Sequence, residues 1–303
     1  MTDIIKKINE LRKERKAVIL AHTYQSAAIQ DLADYVGDSY GLSVKATQLT
    51  DAEVIVFCGV SFMAETAAIL NPGRKVIMPD ASAGCAMAAM ISGEQLREFK
   101  AKHPGAPVVC YVNSTAEVKA ESDICCTSSN AVKVVASLKD APEVLFVPDR
   151  FLGHFVEQRL GRKLVCWQGG CPVHHGLTAE MVLEKKAQYP GYEVMVHPEC
   201  SPETQAVADH VLATGPMIDL VRDSACDRYL VGTEEGIMHA LKKAAPHKTF
   251  VHISPKLLCT SMKQTTLENL AHSLETLETV VSVPEDIAVR ARRSIQAMLD
   301  CCK

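Results

Sequence analysis

The chain has 303 residues, 48% of them hydrophobic, which makes it a soluble globular protein with material for two or three cores. Its 32 Lys and Arg and 36 Asp and Glu leave a net charge of −4 and are mixed along the chain, with no basic block for nucleic acid and no basic amphipathic face for a membrane surface. No apolar run reaches ~18 residues and no signal-peptide core is present, so a cytoplasmic location is expected, where twelve cysteines are not disulfide staples.

In chain order, the first element is a charged amphipathic helix, "MTDIIKKINELRKERK". A β-branched run, "KAVILAHTYQ", follows from Lys16, and "VGDSYGLSVKA" then places Ser39 at the start of a helical pattern. "DAEVIVFCG" is another strand, with a helix after it from near Ser61, and "RKVIMPD" is a fourth, leading to Cys85. The same order then recurs. "APVVCYVNST" from Ala106, "CCTSSNAVKVV", "APEVLFVPD" with a helix from near Arg150, and "RKLVCWQ" lead to Cys171. "GYEVMVHPEC" from Gly191, "LATGPMIDLV", "CDRYLVGTE" with a helix from near Glu234, and "KTFVHIS" lead to Cys259. His22, Tyr111 and His197 stand 89 and 86 positions apart, as do Ser39, Ser128 and Thr214. Cys85, Cys171 and Cys259 are 86 and 88 apart, a difference that loop length absorbs.

Apolar strand-like runs alternating with helical patterns predict an α/β fold with parallel strands covered on both faces. The repeat predicts three pseudo-symmetric α/β/α sandwich units, each with about four strands, around a central active-site cavity. Their expected bounds are 1–105 with the N-terminal helix, 106–190, and 191–303 with a C-terminal helical tail. Right-handed crossovers gather the strand C-termini along one edge, where α/β ligand sites lie.

"CWQGGCPVHH", residues 166–175, looks like half a zinc site, but its cysteines are five apart and its histidines adjacent, unlike paired zinc ligands. Cys171 is better explained as one of three equivalent thiols with Cys85 and Cys259. Three thiolates without a fourth suit a cubane iron–sulfur cluster with one open iron, although free cysteines are also frequent core residues. Ser39, Ser128 and Thr214 are candidate anion ligands at helix N-termini, or plain N-caps. His197 and Glu199 flank Pro198, and alternation along an extended chain would turn both to one side as a proton-transfer pair, or as a loop ion pair. Tyr24 and Tyr111 are candidate donors to substrate oxygens, and His174, three residues past Cys171, is within reach of the cavity. The other histidines, such as His103, His210 and His239, are expected in structural roles.

The segments "AHTYQ", "GDSYGLS", "FCGVSFMAETA", "AGCAMA", "YVNSTAEVKA", "WQGGCPVH", "HPEC" and "CTSMKQTTLENL", in this order, closely resemble the quinolinate synthase family over nearly the whole chain. The resemblance implies condensation of iminoaspartate with dihydroxyacetone phosphate to quinolinate, with loss of phosphate and two waters, in NAD biosynthesis. It implies one 4Fe–4S cluster per chain on Cys85, Cys171 and Cys259, its open iron acting as a Lewis acid. Substrate contacts carry over to His22, Tyr24, Ser39, Tyr111, Asn113, Ser128, His197, Glu199 and Thr214. Glu199, with His197 and Tyr24, would move protons. An L-aspartate oxidase or dehydrogenase is the implied supplier of iminoaspartate. The family more often has Tyr at Thr23, His at Ser61, Ser and Asp at Ala86 and Ala89, and a hydroxyl at Ala213; none of these is an expected ligand. The rival readings are another 4Fe–4S hydro-lyase acting on a small anion, and a non-enzymatic iron–sulfur sensor.

Overall fold

Runs such as AVILAH, VIVFC and VVCY place apolar, mostly β-branched side chains at consecutive positions, so both faces of each strand need cover. The computed structural model, which describes residues 2–49 and 51–303, meets that need with three four-stranded parallel sheets flanked by helices. The first sheet holds β1 (Ala17–His22), β2 (Tyr35–Gly37), β3 (Val54–Cys58) and β4 (Lys75–Ile77). The second holds β5 (Val108–Tyr111), β6 (Ile124–Cys126), β7 (Leu145–Val147) and β8 (Val165–Cys166). The third holds β9 (Glu193–Val196), β10 (His210–Val211), β11 (Arg228–Gly232) and β12 (Thr249–His252). All three have the same order: β2-β1-β3-β4, β6-β5-β7-β8 and β10-β9-β11-β12. The repeat legible in the sequence is therefore a repeat of topology.

The central strands carry the cores. Ile19, Ile55, Val56, Val109, Phe146 and Leu230 are fully buried, and each such large apolar side chain stabilises the fold by roughly 1.5–3 kcal/mol. Helices return the chain between parallel strands, and acidic residues fix where some of them begin. Asp38 accepts from Gly41 N at 2.8 Å at the head of the helix Ser39–Gln48, and Asp149 accepts from Phe151 N and Leu152 N at the head of Arg150–Leu160. With all strands of a sheet parallel, their C-terminal ends share one edge.

After β12 the chain leaves the third sheet. The helix Leu267–Thr276 packs on the helix Thr2–Glu14, where Leu270, Ala271 and Leu274 join Ile8 and Ile19 in one apolar cluster. Residues 279–281 then run beside β4, with Met78 N donating to Thr279 O at 3.1 Å and Val281 N to Val76 O at 2.8 Å. The final helix, Glu285–Cys301, buries Ala288, Ala291, Ile295 and Met298 against the helix Ala116–Ala120 and β6. The tail thus packs against elements of both the first and the second sheet. Among the described residues, no helix is long and apolar enough to cross a membrane.

Candidate active site

A cavity of about 390 Å³ lies where the three strand edges meet. The loops after β1, β5 and β9 give it His22 and Tyr24, Tyr111 and Asn113, and His197 and Glu199. The turns after β2, β6 and β10 give it Ser39, Ser128 and Thr214, and the loops after β4, β8 and β12 give it Cys85, Cys171 and Cys259. These twelve residues, and His174, which the sequence also placed within reach, line this one space.

Each cysteine is followed by a short helical turn, Ala88–Met90, Pro172–His175 or Met262–Gln264. Main-chain N–H groups there are directed at sulfur: Met87 and Ala88 at Cys85, His174 at Cys171, Ser261 and Met262 at Cys259. Burial nevertheless pushes the Cys85 thiol up to about 11, and Cys171 and Cys259 also rise. The thiols oppose one another's ionisation, Cys259 acting on Cys85 and Cys85 on Cys171. A bound cation reverses this balance by deprotonating the thiols it ligates. Three soft donors converging on one space, each with N–H support and no side-chain hydrogen bond among the described residues, fit an iron–sulfur cluster.

The other members of "CWQGGCPVHH" diverge. Cys166 packs against the helix Arg150–Leu160, where a Cβ on Gly153 would meet its sulfur at 2.5 Å, and His175 stacks edge-on with Phe151. Ligand atoms of Cys171, His174 and Glu199 do lie within 4.8 Å of one another. His174 and Glu199, however, are hydrogen-bonded to each other at 2.7 Å, which accounts for their proximity.

That bond belongs to a buried chain. Thr214 Oγ1 donates to Tyr24 Oη at 3.0 Å, Tyr24 Oη is 2.7 Å from Thr233 Oγ1, and Thr233 Oγ1 is 2.8 Å from His174 Nε2. His174 Nδ1 is 2.7 Å from Glu199 Oε2, and Tyr111 Oη donates to Glu199 Oε1 at 2.5 Å. Burial alone would raise the Glu199 pKa, but His197, His174 and the bonds from His174 and Tyr111 hold it below the usual carboxylate range. An ionised carboxylate only accepts, so His174 Nδ1 carries a proton; in the neutral ring Nε2 then accepts from Thr233, and Thr233 oxygen accepts from Tyr24. Burial first, and for Tyr111 the Glu199 charge next, lift both tyrosines far above their ordinary pKa, so both keep their protons as donors. The chain draws residues from all three sheets and exists only when they are assembled.

His22 and His197 share a local design. The main-chain N–H of Tyr24 donates to His22 Nδ1 at 3.1 Å, and that of Glu199 to His197 Nδ1 at 3.3 Å. Burial lowers both imidazoles to about 3, assisted at His22 by Lys263. Each is a neutral ring whose Nε2–H is the proton-bearing nitrogen.

Several expectations are corrected in detail. His197 and Glu199 reach the cavity through a tight turn, closed by Cys200 N donating to His197 O at 3.0 Å, rather than through extended alternation. Of the two histidines beside Glu199, the one bonded to it is His174, at 2.7 Å; His197 stands 3.9 Å away. The three hydroxyls are not N-caps: Asp38 and Ala213 hold those positions before Ser39 and Thr214, and Asn130 holds it after Ser128. His103, His210 and His239 pair with Glu143, Glu193 and Asp31 away from the cavity. Of the unusual positions, Ala86 lines the cavity, whereas the buried Thr23 hydroxyl has no hydrogen-bond partner among the described residues.

Thr233 was not nominated, because its counterparts after β3 and β7, Gly59 and Pro148, carry no hydroxyl and the repeat is silent there. The signal present was a threonine directly following a buried strand. Gly236 was missed for a similar reason: a Cβ there would lie 2.6 Å from the carbonyl carbon of Tyr24, main chain that cannot rotate away. Gly236→Ala is expected to cost about 1–3 kcal/mol in denaturant unfolding by overpacking and to lower turnover further by displacing Tyr24. Unchanged stability and turnover would show that this contact relaxes freely.

A profile of the quinolinate synthetase A protein family matches residues 6–300. A quinolinate synthase of Dehalococcoides mccartyi strain CBDB1 is 56% identical over 293 residues, 97% of this chain and 96% of that protein. A quinolinate synthase of Pelobacter propionicus and quinolinate synthase 1 of Methanosarcina acetivorans are each 50% identical over 297 residues, 98% of this chain and 97% of those proteins.

Proposed function

The chain belongs to the quinolinate synthetase A family and is an enzyme that forms quinolinate in NAD biosynthesis, and from that premise we propose the reaction, its cofactor and its residues. Iminoaspartate and dihydroxyacetone phosphate condense in the central cavity, with release of phosphate and two waters. Cys85, Cys171 and Cys259 would hold one 4Fe–4S cluster per chain, which when bound supplies an iron with a free coordination position, a Lewis acid toward oxygen. Ser39, Ser128 and Thr214, with nearby main-chain N–H groups, hold the phosphate and carboxylates. His22 and His197 offer Nε2–H to substrate oxygens. Tyr111 and Asn113 orient the imine end, where the buried Asn113 Oδ1, without a partner among the described residues, suits an N–H donor.

Tyr24 can take a proton from substrate carbon as it passes its own to Thr233, and Thr233 passes one to His174 Nε2. Glu199 then faces an imidazolium, which its charge stabilises. The reverse transfer returns a proton to a departing hydroxyl. The three units, 1–105, 106–190 and 191–303, act as one site, in a cytoplasmic enzyme supplied with iminoaspartate by an L-aspartate oxidase or dehydrogenase.

The observation that carries this reading is the buried chain from Tyr24 to Tyr111 opening on a cavity with three thiols. Anaerobic purification, an iron count, and a product assay with freshly generated iminoaspartate and dihydroxyacetone phosphate test it. Quinolinate formation with about four iron atoms per chain is expected. A cluster-loaded protein that forms no quinolinate would return the chain to another hydro-lyase or a sensor.

A further inference from the structure

The substrates and product of the proposed reaction carry several negative charges, yet the cavity wall carries three carboxylates: Asp38, Glu199 and Glu234. Glu234 is matched by Lys263 at 2.8 Å, Glu199 by its bonds to His174 and Tyr111, and Asp38 by main-chain N–H groups, including Gly41 at 2.8 Å. Among the described residues that line the cavity, the single lysine or arginine is Lys256. Its side chain is exposed and has no hydrogen bond or ion pair among the described residues.

The main chain around it is firmly placed. Lys256 N donates to Ser254 Oγ at 3.3 Å, Leu257 N to Ser254 O at 3.1 Å, and Glu235 N to Leu257 O at 3.0 Å. Ser254 and Leu257 are buried, while Leu258, which also lines the cavity, is 36% exposed. A fixed backbone therefore holds one unpaired ammonium at the mouth of the cavity, on the segment that leads to Cys259.

Resting on the functional reading above, we propose that Lys256 is a substrate-selecting residue that draws multiply anionic substrates into the cavity. Its exposure suits long-range attraction, which lines up charged ligands before they dock and is screened by salt. The screening length is about 8 Å at 0.15 M salt and about 3 Å at 1 M, so the effect belongs to low ionic strength. Replacing the exposed Lys256 side chain breaks no hydrogen bond or ion pair among the described residues, so it should act on KM and leave kcat alone.

The test compares Lys256→Gln, Lys256→Glu and Lys256→Arg with wild type as cluster-loaded enzymes, at low salt and near 1 M salt. For Lys256→Gln the KM for dihydroxyacetone phosphate is expected to rise about three- to tenfold at low salt, with kcat unchanged and the gap closed at high salt. Lys256→Glu should show a larger rise, and Lys256→Arg should match wild type. Calorimetric titration with quinolinate should show the same salt-dependent weakening without turnover. An active wild type whose KM and quinolinate affinity are matched by Lys256→Gln at low salt would overturn the role of Lys256 alone. A loss of equal size at both salt concentrations, or one confined to kcat, would also overturn it. A cluster-loaded wild type that forms no quinolinate would instead overturn the functional reading, and this assignment with it.

Discussion

Cys171→Ala is expected to give a folded protein that lacks brown absorbance, has lost its iron and forms no detectable quinolinate. Cys171 is half-buried as a residue, its sulfur has no side-chain hydrogen bond among the described residues, and it stands just before the helix Pro172–His175, so its loss should disturb packing little. What it removes is one of three soft donors that would share a cluster, and two thiolates do not retain a cubane. Cys85→Ala and Cys259→Ala should behave alike, because each cysteine has the same strand behind it and the same kind of helical turn ahead. Cys226→Ala, outside the cavity, should keep both colour and activity. The series also tests a local metal site on Cys171, His174 and Glu199, which would survive replacement of Cys85 or Cys259. Full absorbance in any of the three cavity variants would remove that cysteine from the ligand set.

The residues readable in advance were those that the repeat copies three times. A strand ending in His22, Tyr111 or His197 and a fourth strand leading to Cys85, Cys171 or Cys259 each recur at nearly constant spacing, and a shared topology then fixes one destination for all of them. What escaped depends on single copies and on contacts between units. Thr233 has no hydroxyl counterpart in the other two repeats. Gln30 lies in a helix of the first unit, yet its Nε2 is 2.9 Å from both Thr23 O and Gly236 O, tying the loop that carries Tyr24 to the third unit. Lys263 likewise donates to Tyr24 O while paired with Glu234. Such bonds join residues more than 200 positions apart, and no local periodicity encodes them. The return of the C-terminal helix onto the second sheet was hidden similarly: amphipathicity says that a face is covered, but not by which sheet.

Glu199→Gln is expected to lower kcat by about two to four orders of magnitude while cluster absorbance and fold are retained. Gln matches Glu in shape and can still accept the Tyr111 hydroxyl, so no buried partner need be stranded. Its amide group, however, donates toward His174 Nδ1, which must then present a lone pair and carry its proton on Nε2. Thr233 oxygen must accept that proton's hydrogen bond, and its own hydroxyl turns toward Tyr24. Tyr24 oxygen then faces two donors, Thr214 and Thr233, and can no longer hand its proton along the chain. The negative charge that would stabilise an imidazolium on His174 is lost as well. Thr233→Val interrupts the same route without touching Glu199, so it should fall in kcat with little change in KM. Glu199→Asp keeps the charge but shortens the reach and should lie between wild type and Gln. Iron lost from Glu199→Gln would make the carboxylate a ligand in place of a proton-handling group. Near-normal kcat in both Glu199→Gln and Thr233→Val would remove the hydrogen-bonded chain through Thr233, His174 and Glu199 from the mechanism.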